Sequence, residues 1–151
     1  MIHTHTPVPL HPAVAGPVTA ATVDRRHMIG FPGGLPGFEN CHSFILMELE
    51  GNDLLHYLTS VEGPDATFLV IDPRRVMPDY QCELADADAL RIGADAGTPL
   101  LWLALVSIDR DGATTVNLRA PIVINPKRML GQQVIPHDNK YPIRHVLLQA
   151  E

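Results

Sequence analysis

His56, Tyr57 and Asp72 are the residues whose types could support catalysis or ligand capture inside a cavity. An imidazole can serve as a base or a ligand, and a phenol and a carboxylate can hold a polar small molecule by hydrogen bonds. That reading, a small-molecule-binding β-barrel or enzyme, requires a closed polar pocket converging on all three groups. The local pattern favours a different role. His56 alternates with Leu54 and Leu58, which places it on a core-facing or half-buried strand face as a structural histidine.

Other candidates for chemistry fail on spacing. Ser43, Ser60 and Ser107 lack the GxSxG context of a nucleophile elbow. Neither HExxH nor HxE…CxxC occurs, and no paired-carboxylate signature is present. His137-Asp138 precedes Tyr141-Pro142 and reads as a surface turn. The glycines of Gly30-x-x-Gly33-Gly34-x-x-Gly37 fit neither GxGxxG nor GxxxxGK[ST]; they describe a tight turn pinned by Phe31 and Phe38. Cys41 and Cys82 have no CxxC spacing and are expected to be free thiols. His3, His5 and His11 sit among prolines without the fixed geometry a metal requires. The expectation is therefore no catalytic residue, no cofactor and no metal.

The elements that would position these residues are short strands. A chain of 151 residues with 46% apolar and 19% charged residues is long and apolar enough for one globular domain. Fourteen prolines and eleven glycines spread along it punctuate too often for a helical bundle. Residues 1–20, carrying Pro7, Pro9, Pro12 and Pro17, are expected to be a flexible tail, and residues 21–151 the folded domain. Strands are predicted at Ser43–Leu49, Leu54–Ser60, Thr67–Ile71, Tyr80–Leu84 and Leu100–Ile108. Thr114–Arg119, Ile122–Ile124, Gln132–Ile135 and Ile143–Leu148 complete the set, with a break at Pro121. One short helix is predicted over Ala85–Ile92, with Asp86 as its N-cap. The fold class is all-β: a small single-domain antiparallel β-barrel or sandwich.

Charge narrows the partners. The formal net charge is −6, which argues against direct nucleic-acid binding, where Lys and Arg dominate. From Met28 to Leu90 carboxylates stand against Arg74 and Arg75 alone. From Arg119 onward Arg119, Lys127, Arg128, Lys140 and Arg144 outnumber Asp138 and Glu151. Such a dipolar chain can steer a basic partner to its acidic side. No apolar run is long enough to span a bilayer, and the first residues lack the form of a signal peptide, so a cytoplasmic protein is expected.

The segment Thr115-Val116-Asn117-Leu118-Arg119-Ala120-Pro121-Ile122-Val123-Ile124-Asn125 is the most distinctive of the chain. With Gly34-Leu35-Pro36-Gly37-Phe38-Glu39, Phe68-Leu69-Val70-Ile71-Asp72-Pro73, Gly131-Gln132-Gln133-Val134-Ile135 and Tyr141-Pro142-Ile143-Arg144, it resembles the FliW flagellar assembly factor family over roughly residues 22 to 148. The resemblance implies a cytoplasmic, non-enzymatic β-barrel that is a monomer when free. It further implies a chaperone for flagellin that also binds the translational repressor CsrA, relieving repression of flagellin messenger RNA. An apolar groove would receive a helical end of flagellin. For CsrA, the acidic residues Glu62, Asp65 and Asp72 are the expected contacts. Gly37, Phe38, Glu39, Asn117, Pro121 and Asn125 are read as a structural signature, the two asparagine amides serving backbone groups around the Pro121 break.

Overall fold

The computed structural model describes residues 27–49, 51–61, 66–138 and 140–148. Eight strands are present among them: β1 (Ile29–Gly30), β2 (Ser43–Leu49), β3 (Asn52–Ser60), β4 (Thr67–Ile71), β5 (Leu101–Ile108), β6 (Thr114–Asn125), β7 (Leu130–Gln133) and β8 (His145–Leu148). Two short helices, α1 (Pro73–Val76) and α2 (Asp86–Arg91), lie between β4 and β5.

Hydrogen bonding runs β5-β4-β3-β2-β1-β7-β6, and β6 pairs back onto β5. Seven strands thus close into a barrel, with β8 added along the first half of β6. Closure selects the barrel over the sandwich. The pairing is antiparallel except between β1 and β7, which meet in parallel at Gly30 and Leu130.

Strand alternation assigns two apolar layers. Phe44, Leu58, Phe68, Val70, Leu103, Leu105, Ile122 and Ile124 point inward with Phe31, Leu35 and Cys41. The opposite parity, Tyr57, Leu69, Ile71, Ala104, Val106, Val116 and Leu118, points outward yet is buried. The chain between β4 and β5 explains this, because Val76, Met77, Tyr80 and Cys82 cross the outer wall and cover it. Further along, Ile92 packs on Val123 and Val134 with Leu84, Leu100 and Trp102 around them.

Three expectations are corrected. Tyr80–Leu84 forms no strand, because its apolar residues serve as the covering strap and Tyr80 is used as a hydrogen-bond donor to Leu118. There is more than one helix: Asp72 accepts from the Arg74 N–H at 2.9 Å and Pro73 fills the first turn, which starts α1. The longer helix has Ala85 as its N-cap in place of Asp86, and no side chain caps it.

The fourth difference concerns Pro121. Thr114 to Asn125 is one strand of 12 residues, not two. Opposite it, Leu105 pairs with Asn117 and Leu103 with Ile122, so Leu118, Arg119, Ala120 and Pro121 face the single residue Ala104. The resulting bulge moves inward-facing positions from odd to even numbers, which carries β6 from one apolar layer to the other. Asn117 Oδ1 accepts from the N–H of Arg119 at 3.1 Å and of Ala120 at 3.0 Å. Asn117→Ala is expected to leave both donors without that partner and destabilise the protein by about 1–3 kcal/mol. Asn117→Asp keeps an acceptor and should lose less. Urea unfolding of the two variants measures the difference.

Candidate partner-binding surfaces

Among the residues singled out from the sequence, His56 and Tyr57 are neighbours on β3 and face opposite sides of the wall. Tyr57 is buried in the outer layer, while His56 is half-buried opposite Glu48 and Val70. A cavity of about 470 Å³ beside His56 is lined by Glu48, Leu49, Gly51, Asn52 and Asp53, and neither Tyr57 nor Asp72 contributes to it. Asp72 is occupied as the cap of α1. The three groups therefore do not converge. Glu62 and Asp65 lie outside the described residues, as do the N-terminal histidines and the stretch 1–20.

Of the signature residues, Phe38, Asn117, Pro121 and Asn125 are buried or half-buried, whereas Gly37 and Glu39 are exposed in the loop before β2. Gly37 has a φ of 84°, and its N–H donates to Glu39 Oε1 at 3.2 Å. Phe38 meets Phe68 edge-on at 5.3 Å, and Phe31 meets Phe44 in the same way at 5.2 Å. Asn125 does not serve the Pro121 break as expected: it is buried, donating from Nδ2 to the Ile92 carbonyl at 2.8 Å and accepting from the Lys127 N–H at 3.1 Å, so it ties the end of β6 to the end of α2. Pro121 is buried too, and its carbonyl accepts from the Val134 N–H at 2.9 Å.

Polar links hold the outer strap. The Tyr80 hydroxyl donates to the Leu118 carbonyl at 2.8 Å, and its ring lies 4.5 Å from that of Tyr141. The Tyr141 hydroxyl accepts from the Gln81 N–H, and its carbonyl accepts from Arg119 Nε. Burial pushes the Tyr80 phenol well above its ordinary range.

What remains open lies on the outer wall around α2, a region the sequence reading passed over. Three depressions adjoin the helix. One of about 370 Å³ lies between Cys82 and Tyr141, one of about 480 Å³ beside Leu90, and one of about 650 Å³ under the Pro32–Pro36 loop. Leu90 (82% exposed) and Ile135 (74%) are the most exposed large apolar side chains among the described residues. The sequence signal was present: a leucine within the acidic helix Asp86-Ala87-Asp88-Ala89-Leu90-Arg91.

Among the described residues no helix is long and apolar enough to cross a membrane, and no group of three or more His, Cys, Asp or Glu could hold a metal ion. The class of protein so defined is a small closed β-barrel scaffold with shallow depressions of mixed polarity on its outer wall.

The model of the FliW protein family matches residues 16–147, beginning a few residues before the resemblance read from the motifs. Flagellar assembly factor FliW of Natranaerobius thermophilus is 37% identical over 131 residues, 85% of this chain and 87% of that protein. The FliW of Clostridium botulinum strain Okra is 34% identical over 129 residues, 85% of this chain and 90% of its own length. A crystal structure of the flagellar assembly factor FliW superposes with a TM-score of 0.77 at 31% identity, covering 84% of this chain and 89% of that one. The chain belongs to the FliW family of flagellar assembly factors.

The cavity holding Cys82 has a measurable electrostatic signature. Burial first, and then the Asp138 carboxylate, push this thiol up to about 11; Lys140 pulls it down, and Asp88 and Glu83 raise it further. Since the thiolate is the reactive form, iodoacetamide should alkylate Cys82 slowly at neutral pH. Its rate is expected to rise with a midpoint near 11. Asp138→Asn removes a raising charge and should lower that midpoint, as peptide mass spectrometry across a pH series would show.

Proposed function

We propose that this chain is a cytoplasmic, non-enzymatic flagellar assembly factor that binds flagellin as a chaperone and also binds the translational repressor CsrA. While flagellin is abundant in the cell it occupies the factor. Once flagellin is exported, the free factor captures CsrA and relieves repression of flagellin messenger RNA. The observation that carries this reading is membership of the FliW family along residues 16–147, the whole barrel included. The separation of His56, Tyr57 and Asp72 supports it against a small-molecule site, because no common cavity joins them. The net charge of −6 suits a basic protein partner better than a nucleic acid.

Each partner is expected to bind the purified full-length chain with a Kd of ~1 μM or tighter, a free energy of about −8 kcal/mol. Calorimetry with flagellin and with CsrA in separate titrations measures this. Size-exclusion chromatography with light scattering should show a monomer before either is added. Heat signals absent for both proteins at micromolar concentration would remove the proposal.

A further inference from the structure

We infer that the face around α2 docks a basic protein surface bearing apolar side chains and that, on the functional reading above, its occupant is CsrA. The geometry starts from how α2 is held. None of its own residues is buried, and no side chain caps its start. The buried Ile92 just beyond it and a 2.6 Å hydrogen bond from Gln132 Nε2 to Asp88 fix it to the barrel. A helix tethered in this way presents the rest of its surface outward. Leu90 is then an apolar side chain that the fold itself leaves in water.

Leu90 and Ile135 belong to one region. Arg91, next to Leu90, and Ile135 line the same depression, and Ile135 also lines the one that holds Asp88 and Cys82. Leu84 joins that depression to the one beside Leu90. Two exposed apolar side chains and three adjoining hollows make a surface with relief, suited to receive protruding side chains.

Charge identifies what they belong to. Glu83, Asp86, Asp88, Asp95 and Asp138 line these hollows. The cations among the lining residues are Lys140 and Arg91, and Arg91 lies 3.5 Å from Asp88. The two aspartates at the start of α2 also stabilise the helix through its dipole. Glu83 and Asp138 have no such role, since both are outside it. Carboxylates outweigh the cation around Cys82, which reports a negative field in that hollow. A second copy of this chain meeting it through the same face would set like charges against like, and a nucleic acid would do the same. A Lys- and Arg-rich protein surface with apolar side chains at its centre is complementary in both respects, and of the two proposed partners the repressor that acts on messenger RNA is the one that must carry Lys and Arg for phosphates.

The test uses two variants of the full chain at positions where side chains are exposed and lie outside the first turn of α2: Glu83→Lys/Asp138→Lys, and Leu90→Ser/Ile135→Ser. Circular dichroism and thermal melting should match the parent for both. Calorimetry at low and high salt is then run against CsrA and against flagellin. The expected result is a loss of about tenfold or more in CsrA affinity for each variant, with flagellin binding kept. The charge variant should also lose much of the salt dependence. Parental CsrA affinity in both variants overturns the inference, as does a loss confined to flagellin. A Glu62→Lys/Asp65→Lys chain that loses CsrA while the α2 variants keep it overturns it as well. A parent chain that binds neither protein removes the functional reading itself, an outcome distinct from any result with the variants.

Discussion

The backbone of Leu118, Arg119, Ala120 and Pro121 must be hydrogen-bonded without a regular strand partner, and the closed barrel depends on how this is done. Buried amide groups left unpaired are costly, so each needs a partner from outside the ladder. The Leu118 N–H donates to the Pro142 carbonyl, while Asn117 accepts from Arg119 and Ala120. Pro121 has no N–H to satisfy. On the acceptor side, Leu118 receives the Tyr80 hydroxyl, Ala120 the Gln133 amide and Pro121 the Val134 N–H. The side chains and loops that do this come from four separate stretches of the chain.

That arrangement lets one strand do the work of two. Before the bulge, β6 lies between β5 and β8 with Val116 and Leu118 turned to the outer layer. After it, β6 lies between β5 and β7 with Ile122 and Ile124 turned inward. A strand of uniform parity would place one of these sets in the wrong layer. The outer layer in turn needs a cover, and the strap from Val76 to Cys82 supplies it, held by Tyr80 at the bulge and by Ile92 beyond α2. The position of α2 on the outer wall thus follows from the same bulge.

Strands whose apolar residues alternate or run continuously were legible from sequence: Ser43–Leu49 and Thr67–Ile71 appear with the bounds that their residue types imply. The joining of Thr114–Arg119 to Ile122–Ile124 was not. A proline inside a strand ordinarily removes a ladder bond, and the bulge that tolerates it depends on Pro142, Tyr80 and Gln133, residues distant in sequence. Tyr80–Leu84 misled for a related reason. An alternating pattern reports that one side is buried, whether a sheet or a covering strap buries it. The proposed docking surface was the least legible part, because Glu83 and Asp138 line one hollow only when the segment after β7 and the chain before α2 are brought together.

The Thr115–Asn125 motif and the open surface are separated for a physical reason. Residues such as Asn117, Pro121 and Asn125 are confined by buried hydrogen bonds and packing, so their identities are tightly set by the fold. An exposed leucine or glutamate on the outer wall meets no such demand from within the chain. On the docking proposal, a partner would cover Leu90 and Ile135 amid the surrounding carboxylates. The motif therefore identifies the family through the way its barrel is built, whereas the proposed docking face is formed around α2 and the segment after β7, outside the motif.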